Sequence, residues 1–299
     1  MYALEINNVE KIYSNKHKAL DNINLKVNQG DFIGLLGVNG AGKTSLISSI
    51  SGINSFSGSI RVMGHDVITD VVKAKLNLGV VPQELAFDPF LTVAKTLKFQ
   101  SGLYGVKNNQ SWLDELISRM HLDDKVNSNT RALSGGMKRR LMVAQALVHK
   151  PSVIILDEPT VGVDVEIRKN IWEFIEELHK EGHTILLTTH YLEEVERLCN
   201  KIVMIDKGKI ITESSKEDLI NNTSSLPSSL EVDISGGDLL PEITSMVISQ
   251  TDSRVKFKIE NSEQIVMILN KLVANGIKIE NINVNKPNLE DIFLQYLRR

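Results

Sequence analysis

Residues 37–44 read Gly37-Val38-Asn39-Gly40-Ala41-Gly42-Lys43-Thr44, the spacing G-x-x-x-x-G-K-[ST]. The glycines let backbone N–H groups turn inward onto phosphate oxygens, and a helix starting there adds a favourable dipole for anions. Lys43 carries a full positive charge to the β- and γ-phosphates, and the Thr44 hydroxyl can ligate Mg²⁺. A glycine-rich turn that merely caps a helix is the plainer alternative. The flanks argue against it: the apolar run 32–36 before the loop has the pattern of a buried strand, and 45–51 begins a helix. The pattern therefore predicts ATP or GTP binding, with Gly37, Asn39, Gly40, Ala41, Gly42, Lys43, Thr44 and Ser45 as the binding residues.

A second string, residues 153–158, is an apolar strand ending in Asp157 and Glu158. The carboxyl end of a strand in a parallel sheet opens onto the ligand crevice. Asp157 there can hold Mg²⁺ through a water, and Glu158 can polarise the water that attacks the terminal phosphorus. Acids after a strand usually open a solvated loop; the phosphate loop makes the pair specific.

A third string, Leu133-Ser134-Gly135-Gly136-Met137, places a small hydroxyl and two glycines at the start of a helix, a second anion site. On its own it reads as a simple N-cap. Yet one nucleotide per chain has no use for two phosphate cradles far apart in sequence. Two chains packed head to tail do.

The elements that must carry these residues follow from periodicity. Residues 3–36 alternate as strands (Leu4 and Ile6; Ile23, Leu25 and Val27), with turns expected at Asn7-Asn8 and Gln29-Gly30. Helices are predicted over 92–104, 111–121, from Ser134 to His149, over 165–180 and over 191–199. Strands are predicted at 153–156 and 184–188, with a hairpin of 202–205 and 209–212 turning at Lys207-Gly208. Residues 221–229 shift to Asn, Ser and Thr and read as a linker. Beyond it, 230–234, 254–259 and 277–284 are strand-like, 262–275 is helical, and a last helix begins near Leu289.

With 299 residues the chain holds one large domain and a smaller appendage. A net charge of −3 provides no basic field for nucleic acid. The single cysteine, Cys199, excludes an internal disulfide framework and fits a reducing compartment. It shares an apolar face with Leu192 and Val195. The first five residues lack the pattern of a signal peptide, and no run approaches the roughly 20 apolar residues of a membrane span.

Taken together, the phosphate loop, Leu133 to Met137, Ile155 to Pro159 and His190 after a strand occur in the order of ABC-transporter ATPase subunits, which residues 3–220 resemble. The resemblance implies an α/β fold: a P-loop NTPase core with a mainly parallel sheet, an N-terminal antiparallel β subdomain and an inserted helical subdomain at about 84–150. Residues 1–220 would form the nucleotide-binding domain and 230–299 a small α+β domain. It implies that Tyr13 stacks on adenine and that Gln83 senses Mg²⁺ and the γ-phosphate while facing a membrane partner. It also implies that Asp164 crosses a dimer interface and that His190 is the switch histidine contacting the γ-phosphate. Catalysis would rest on Glu158, His190, Lys43 and Gln83. Thr44, Gln83 and Asp157 would hold Mg²⁺, and Ser134, Gly135 and Gly136 would close the partner's ATP. The remaining histidines, His17 among them, read as surface or structural residues.

Two residues depart from the pattern. Met137 stands where most members carry glutamine, and Val161 replaces a serine before Gly162. The strings LSGGMKRRL, TTHYLEEVERLC and PNLEDIFLQYL resemble ATPases that serve ABC-2-type exporters. The expected activity is MgATP hydrolysis by a homodimer on the cytoplasmic face of a membrane, driving a separate permease. The contrasting expectation is a soluble ABC ATPase acting on nucleic acid or ribosomes. Those usually carry two nucleotide domains or long coiled coils, for which residues 84–132 leave no room.

Overall fold

The apolar run before the phosphate loop forms strand β3 (Phe32–Leu36), and all five residues are buried. The computed structural model describes residues 1–221, 228–235, 241–251, 253–259, 261–285, 289, 292–293 and 296. Two compact units emerge, Met1–Ser214 and Ser215–Arg299.

In the first unit, β1 (Tyr2–Ile12) and β2 (Lys18–Asn28) are long antiparallel partners. The expected turn at Asn7-Asn8 is instead an irregularity inside β1. Asn8 adopts φ 50°, its N–H bonds the Asn24 side chain at 2.9 Å, and the register slips between Ile6 and Val9. Asparagine tolerates the left-handed region, so the strand absorbs one extra residue as a bulge and continues. After β3 come α1 (Lys43–Ile50), β4 (Ser57–Val62), β5 (His65–Asp66), α2 (Val71–Leu76) and β6 (Leu78–Val81). Strands β4 and β5 complete the antiparallel sheet in the order β2-β1-β4-β5.

The inserted helical segment contains α3 (Val93–Leu103), α4 (Gln110–Arg119) and α5 (Gly135–Leu147). Thr92 caps α3 by accepting the Lys95 N–H, and Leu113, Leu116 and Ile117 bury one face of α4. Trp112 donates its indole N–H to the Leu147 carbonyl at 2.9 Å and so ties α4 to α5.

Next follow β7 (Val153–Asp157), α6 (Val165–Lys180), β8 (Thr184–Thr188), α7 (Leu192–Leu198), β9 (Lys201–Asp206) and β10 (Lys209–Ser215). The second sheet runs β10-β9-β3-β8-β7-β6, and the pairs β9-β3, β3-β8, β8-β7 and β7-β6 are parallel. One apolar cluster joins both sheets, with Leu4, Ile6 and Leu25 packed in the same body as Leu35, Leu46, Ile155 and Val203. The order β3-β8-β7-β6 matters most: the four strand ends that carry Gly37, His190, Asp157 and Gln83 lie side by side. Cys199 is buried, as its apolar neighbours imply.

In the second unit, α8 (Lys216–Asn221) precedes β11 (Ser228–Ser235), α9 (Pro241–Thr244), β12 (Val247–Gln250), β13 (Arg254–Ile259), α10 (Ser262–Ala274) and β14 (Lys278–Asn285). The strands pair in the order β12-β13-β11-β14, and Leu230, Val232, Val255 and Phe257 form a core with Ile268 and Leu272 of α10. The linker read at 221–229 falls mostly outside the described residues. Its last two members, Ser228 and Ser229, pair with Ile259 and Lys258 and belong to β11. The last helix, read near Leu289, also falls mostly outside the described residues. Among the described residues, no helix is long and apolar enough to cross a membrane.

Candidate nucleotide site

Between β3 and α1 the chain turns through Gly40 (φ 81°) and Gly42 (φ 113°), conformations that cost a side chain dearly. At Gly42 an added Cβ would also lie 2.7 Å from the Ala19 carbonyl oxygen. Gly42 is the N-cap of α1 and has no side chain with which to satisfy the first-turn N–H groups. A helix N-terminus left open in this way favours an anion. Lys43 folds back over the loop, donating to the carbonyls of Gly37 at 2.6 Å and Val38 at 3.3 Å. Burial holds its ammonium below the ordinary lysine pKa, while Glu158 and Asp157 act in the opposite direction. An approaching phosphate would restore the charge partner that burial removes.

At the end of β7, Asp157 is buried and accepts the Thr188 hydroxyl at 2.5 Å. Burial pushes its carboxyl above the usual range; Thr188, Lys43 and Arg139 pull the other way. Glu158 sits at φ 50°, a strained conformation for a non-glycine residue, and Thr188 again holds it: the Glu158 N–H donates to the Thr188 carbonyl at 3.0 Å. Its carboxylate is 3.2 Å from His190 Nδ1. Thr188 thus aims two adjacent acids in different directions, Asp157 toward the loop and Glu158 toward His190.

A cavity of about 420 Å³ collects Tyr13, Asn39, Gly40, Gly42, Lys43, Thr44, Ser45, Gln83, Asp157 and Glu158, together with His17 and Ala19. The Tyr13 hydroxyl lies 3.1 Å from Ser45 Oγ, and Lys11 Nζ stands 4.9 Å from its ring centroid. Gly37 shapes the loop from behind: an added Cβ there would meet the Ile205 carbonyl oxygen at 2.5 Å. Ala41 is buried in the same turn.

Ser134, Gly135, Gly136 and Asp164 are not among the lining residues. Ser134 caps α5 by accepting the Met137 N–H at 3.3 Å, and Asp164 caps α6 by accepting the Ile167 N–H at 2.9 Å. Ser134, Gly135 and Asp164 are exposed, whereas Gly136 is buried with Ile167 and Val163 beside it. The two loops therefore touch through Gly136 and present Ser134 outward.

Three residues were missed in sequence. His17 and Ala19 line the cavity beside Tyr13, where a reading of isolated histidines as surface residues gave no signal. Arg139 of α5 donates to the carbonyls of Pro82 at 2.8 Å and Gln83 at 2.9 Å, fixing the Gln83 segment from below. Its place just after the Ser134 string was the available clue.

Among the described residues, no group of three or more His, Cys, Asp or Glu is placed to hold a metal. A hydroxyl (Thr44), an amide (Gln83) and one buried carboxylate (Asp157) at one cavity form an oxygen donor set instead. Such a set fits Mg²⁺, which takes one or two carboxylates and completes its shell with water and phosphate oxygens.

A glycine loop opening a helix, an acid pair on the next strand but one and a parallel sheet define a phosphate-loop nucleotide hydrolase. Comparison with known proteins narrows this. Residues 20–161 match the ABC transporter family, and residues 224–297 match the C-terminal domain of DrrA1-3-like ATP-binding proteins. The linearmycin resistance ATP-binding protein LnrL of Bacillus subtilis is 33% identical over 99% of this chain and 98% of its own length. The Nod factor export ATP-binding protein I of Cupriavidus metallidurans is 34% identical over 99% and 97%. The daunorubicin resistance ATP-binding protein DrrA3 of Streptomyces coeruleorubidus is 34% identical over 98% and 95%. Among solved structures, an ATP-binding subunit of an ABC transporter superposes with TM-score 0.69 at 25% identity, covering 74% of this chain and 93% of that one. The CbiO1 protein of Clostridium perfringens, part of the ABC transporter complex CbiONQ, superposes with TM-score 0.63 at 27% identity over 75% and 95%. The chain belongs to the ATP-binding proteins of ABC transporters and is an ATPase of that family.

Proposed function

We propose that this chain is the MgATP-hydrolysing subunit of an exporter, working as a homodimer that drives a separate membrane permease at the cytoplasmic face. The relatives named for Nod factor export and for linearmycin and daunorubicin resistance support export as the direction. The observation that carries the dimer is the exposed tip of α5. Ser134 and Gly135 form a second anion-binding helix start, yet they stand outside the cavity of their own chain. Head-to-tail pairing places that tip over the partner's terminal phosphate, burying charge that neither surface satisfies alone. ATP then favours the closed pair and product release reopens it.

Within each site Tyr13 carries the base, and residues Gly37 to Ser45 hold the phosphates. Glu158 orients the attacking water and takes its proton, while Lys43 and His190 offset charge on the phosphoryl oxygens. Thr44, Gln83 and Asp157 would hold Mg²⁺, which supplies charge neutralisation at the β- and γ-phosphates. Asp164, opening α6 beside Gly136, reaches across the pair.

The permease would seat a helix in a groove of about 380 Å³ lined by Ile53, Val80, Pro82, Ala86, Gln100, Tyr104 and Met142. The groove adjoins Gln83, and exposed Phe99 precedes Gln100 of its lining in the chain. The test is Glu158→Gln. The variant should bind ATP normally and accumulate as a dimer by size-exclusion chromatography with ATP present. Wild-type turnover in that variant removes Glu158 from its role, and a persistent monomer removes the dimer.

A further inference from the structure

His190 is half exposed, and its one hydrogen bond given by the structure runs from Nδ1 to Glu158 at 3.2 Å. An imidazole with so little cover pays rotamer entropy to stay in one place, so something must hold the ring. Two contacts do. The ring of Tyr191, the next residue, lies 4.1 Å from it between centroids at an interplanar angle of 39°. The Arg168 guanidinium stands 4.2 Å from the Tyr191 ring centroid. Arg168 lies one turn into α6, where its N–H donates to the Asp164 carbonyl at 2.9 Å, and its buried Nε makes no hydrogen bond. A cation over an aromatic face with its Nε withdrawn from water is the stronger form of that attraction.

We propose that Arg168 and Tyr191 are positioning residues for ATP hydrolysis: Arg168 clamps the Tyr191 ring, the ring holds His190, and His190 meets Glu158. The start of α6, which Asp164 opens, thereby sets the geometry of the acid that activates water in the same chain. Neither residue is among those that line the cavity, so their effect should fall on kcat rather than on KM for ATP. The inference rests on the roles given above to His190 and Glu158.

The test is steady-state ATPase kinetics and thermal unfolding of the full-length chain. Tyr191→Ala should lower kcat about tenfold, as loss of a fixed orientation does, with KM for ATP and Tm unchanged. Tyr191→Phe keeps the ring and should recover at least half of wild-type kcat. Arg168→Ala should lower kcat less than Tyr191→Ala, and Arg168→Lys should recover part of the loss. In His190→Ala, adding Tyr191→Ala should cause no further loss. A kcat within twofold of wild type in Tyr191→Ala, beside an impaired His190→Ala, overturns the positioning role alone. Equal impairment of Tyr191→Phe and Tyr191→Ala, or a kcat loss matched by a fall in Tm, overturns it too. Wild-type turnover in His190→Ala overturns the reading beneath it, and the proposal with it.

Discussion

The Arg139 guanidinium, on the helix that Ser134 opens, donates to the backbone carbonyl of Gln83 at 2.9 Å. A residue in the second turn of that helix is thus joined directly to the segment that lines the nucleotide cavity. Burial holds Arg139 below the ordinary arginine pKa, while Asp157 and Glu158 favour its charge. Arg139→Ala leaves the Pro82 and Gln83 carbonyls without their charged donor, a loss of about 2 kcal/mol. In a unit of this size that lowers Tm by roughly 4–8 °C. Because Gln83 loses its support, kcat should also fall about tenfold. Arg139→Lys reaches at most one of the two carbonyls well and should fall between. Differential scanning fluorimetry and a phosphate-release assay on the three proteins decide this.

Asp157 gives a prediction in which stability and activity move oppositely. Its folded pKa is raised, chiefly by burial, so the folded state takes up a proton more readily than the unfolded chain. Stability therefore falls as pH rises from the unfolded value through the folded one, and the penalty is complete at neutral pH. Asp157→Asn keeps an oxygen for the Thr188 hydroxyl and removes the buried charge. Without nucleotide or metal, its Tm at pH 7 should exceed that of wild type, and the gap should close below pH 4. Turnover should fall about a hundredfold or more, as when a designed charge stabiliser is lost. A lower Tm at pH 7 contradicts the burial argument.

Most of this site was legible because phosphate chemistry dictates local sequence. Gly42 at φ 113° and a following helix are a purely local requirement, so eight consecutive residues announced it. Helix α6 and strand β8 were readable to the residue because apolar periodicity and caps such as Asp164 act over a few positions. Residues 52–77 were not read: β4 depends on pairing with β1, a contact that no short window contains. Strand β12 in the second unit stayed hidden for the same reason, since it is short, mostly exposed and, among the described residues, pairs only with β13. Asn7-Asn8 misled because the residues that favour turns also favour bulges, and only the partner strand distinguishes them. His17 and Arg139 were missed because their roles arise from tertiary placement alone.

His149 should impose an acid limit on stability. It stacks on Tyr104 with centroids 3.6 Å apart and has Nε2 3.1 Å from the Leu78 carbonyl. Burial lowers its pKa to about 4, against the hydrogen bonds to the Leu78 and Lys75 carbonyls that raise it. The unfolded chain binds a proton near the ordinary value of about 6.5 while the folded chain does not. Stability present above that value is lost as pH falls toward 4. His149→Gln should lose about 1 kcal/mol at pH 7.5 from the missing ring stack. Its Tm should then fall less than that of wild type between pH 6.5 and pH 5. Thermal unfolding across that range measures the difference, and parallel curves exclude His149 as the cause.

The glycines separate what the fold requires from what the proposed second chain would require. An added Cβ at Gly37 meets the Ile205 carbonyl oxygen at 2.5 Å, a backbone atom that cannot step aside. Gly37→Ala should therefore lower Tm and ATP affinity together. At Gly136 the nearest atom is the end of Ile167, at 3.0 Å. A flexible methyl can yield by a few tenths of an ångström, so Gly136→Ala should fold with a small change in Tm. Gly135 has nothing within 4 Å and keeps an ordinary negative φ at the start of α5. Alanine there should stabilise the helix by up to about 1 kcal/mol. Within one chain, Gly135→Ala is harmless or beneficial. If its space exists for the close approach of a partner's phosphate, the same methyl should lower kcat at least tenfold while Tm holds or rises. Unchanged turnover in Gly135→Ala would leave the α5 tip as a helix cap only, and the head-to-tail site without its central contact.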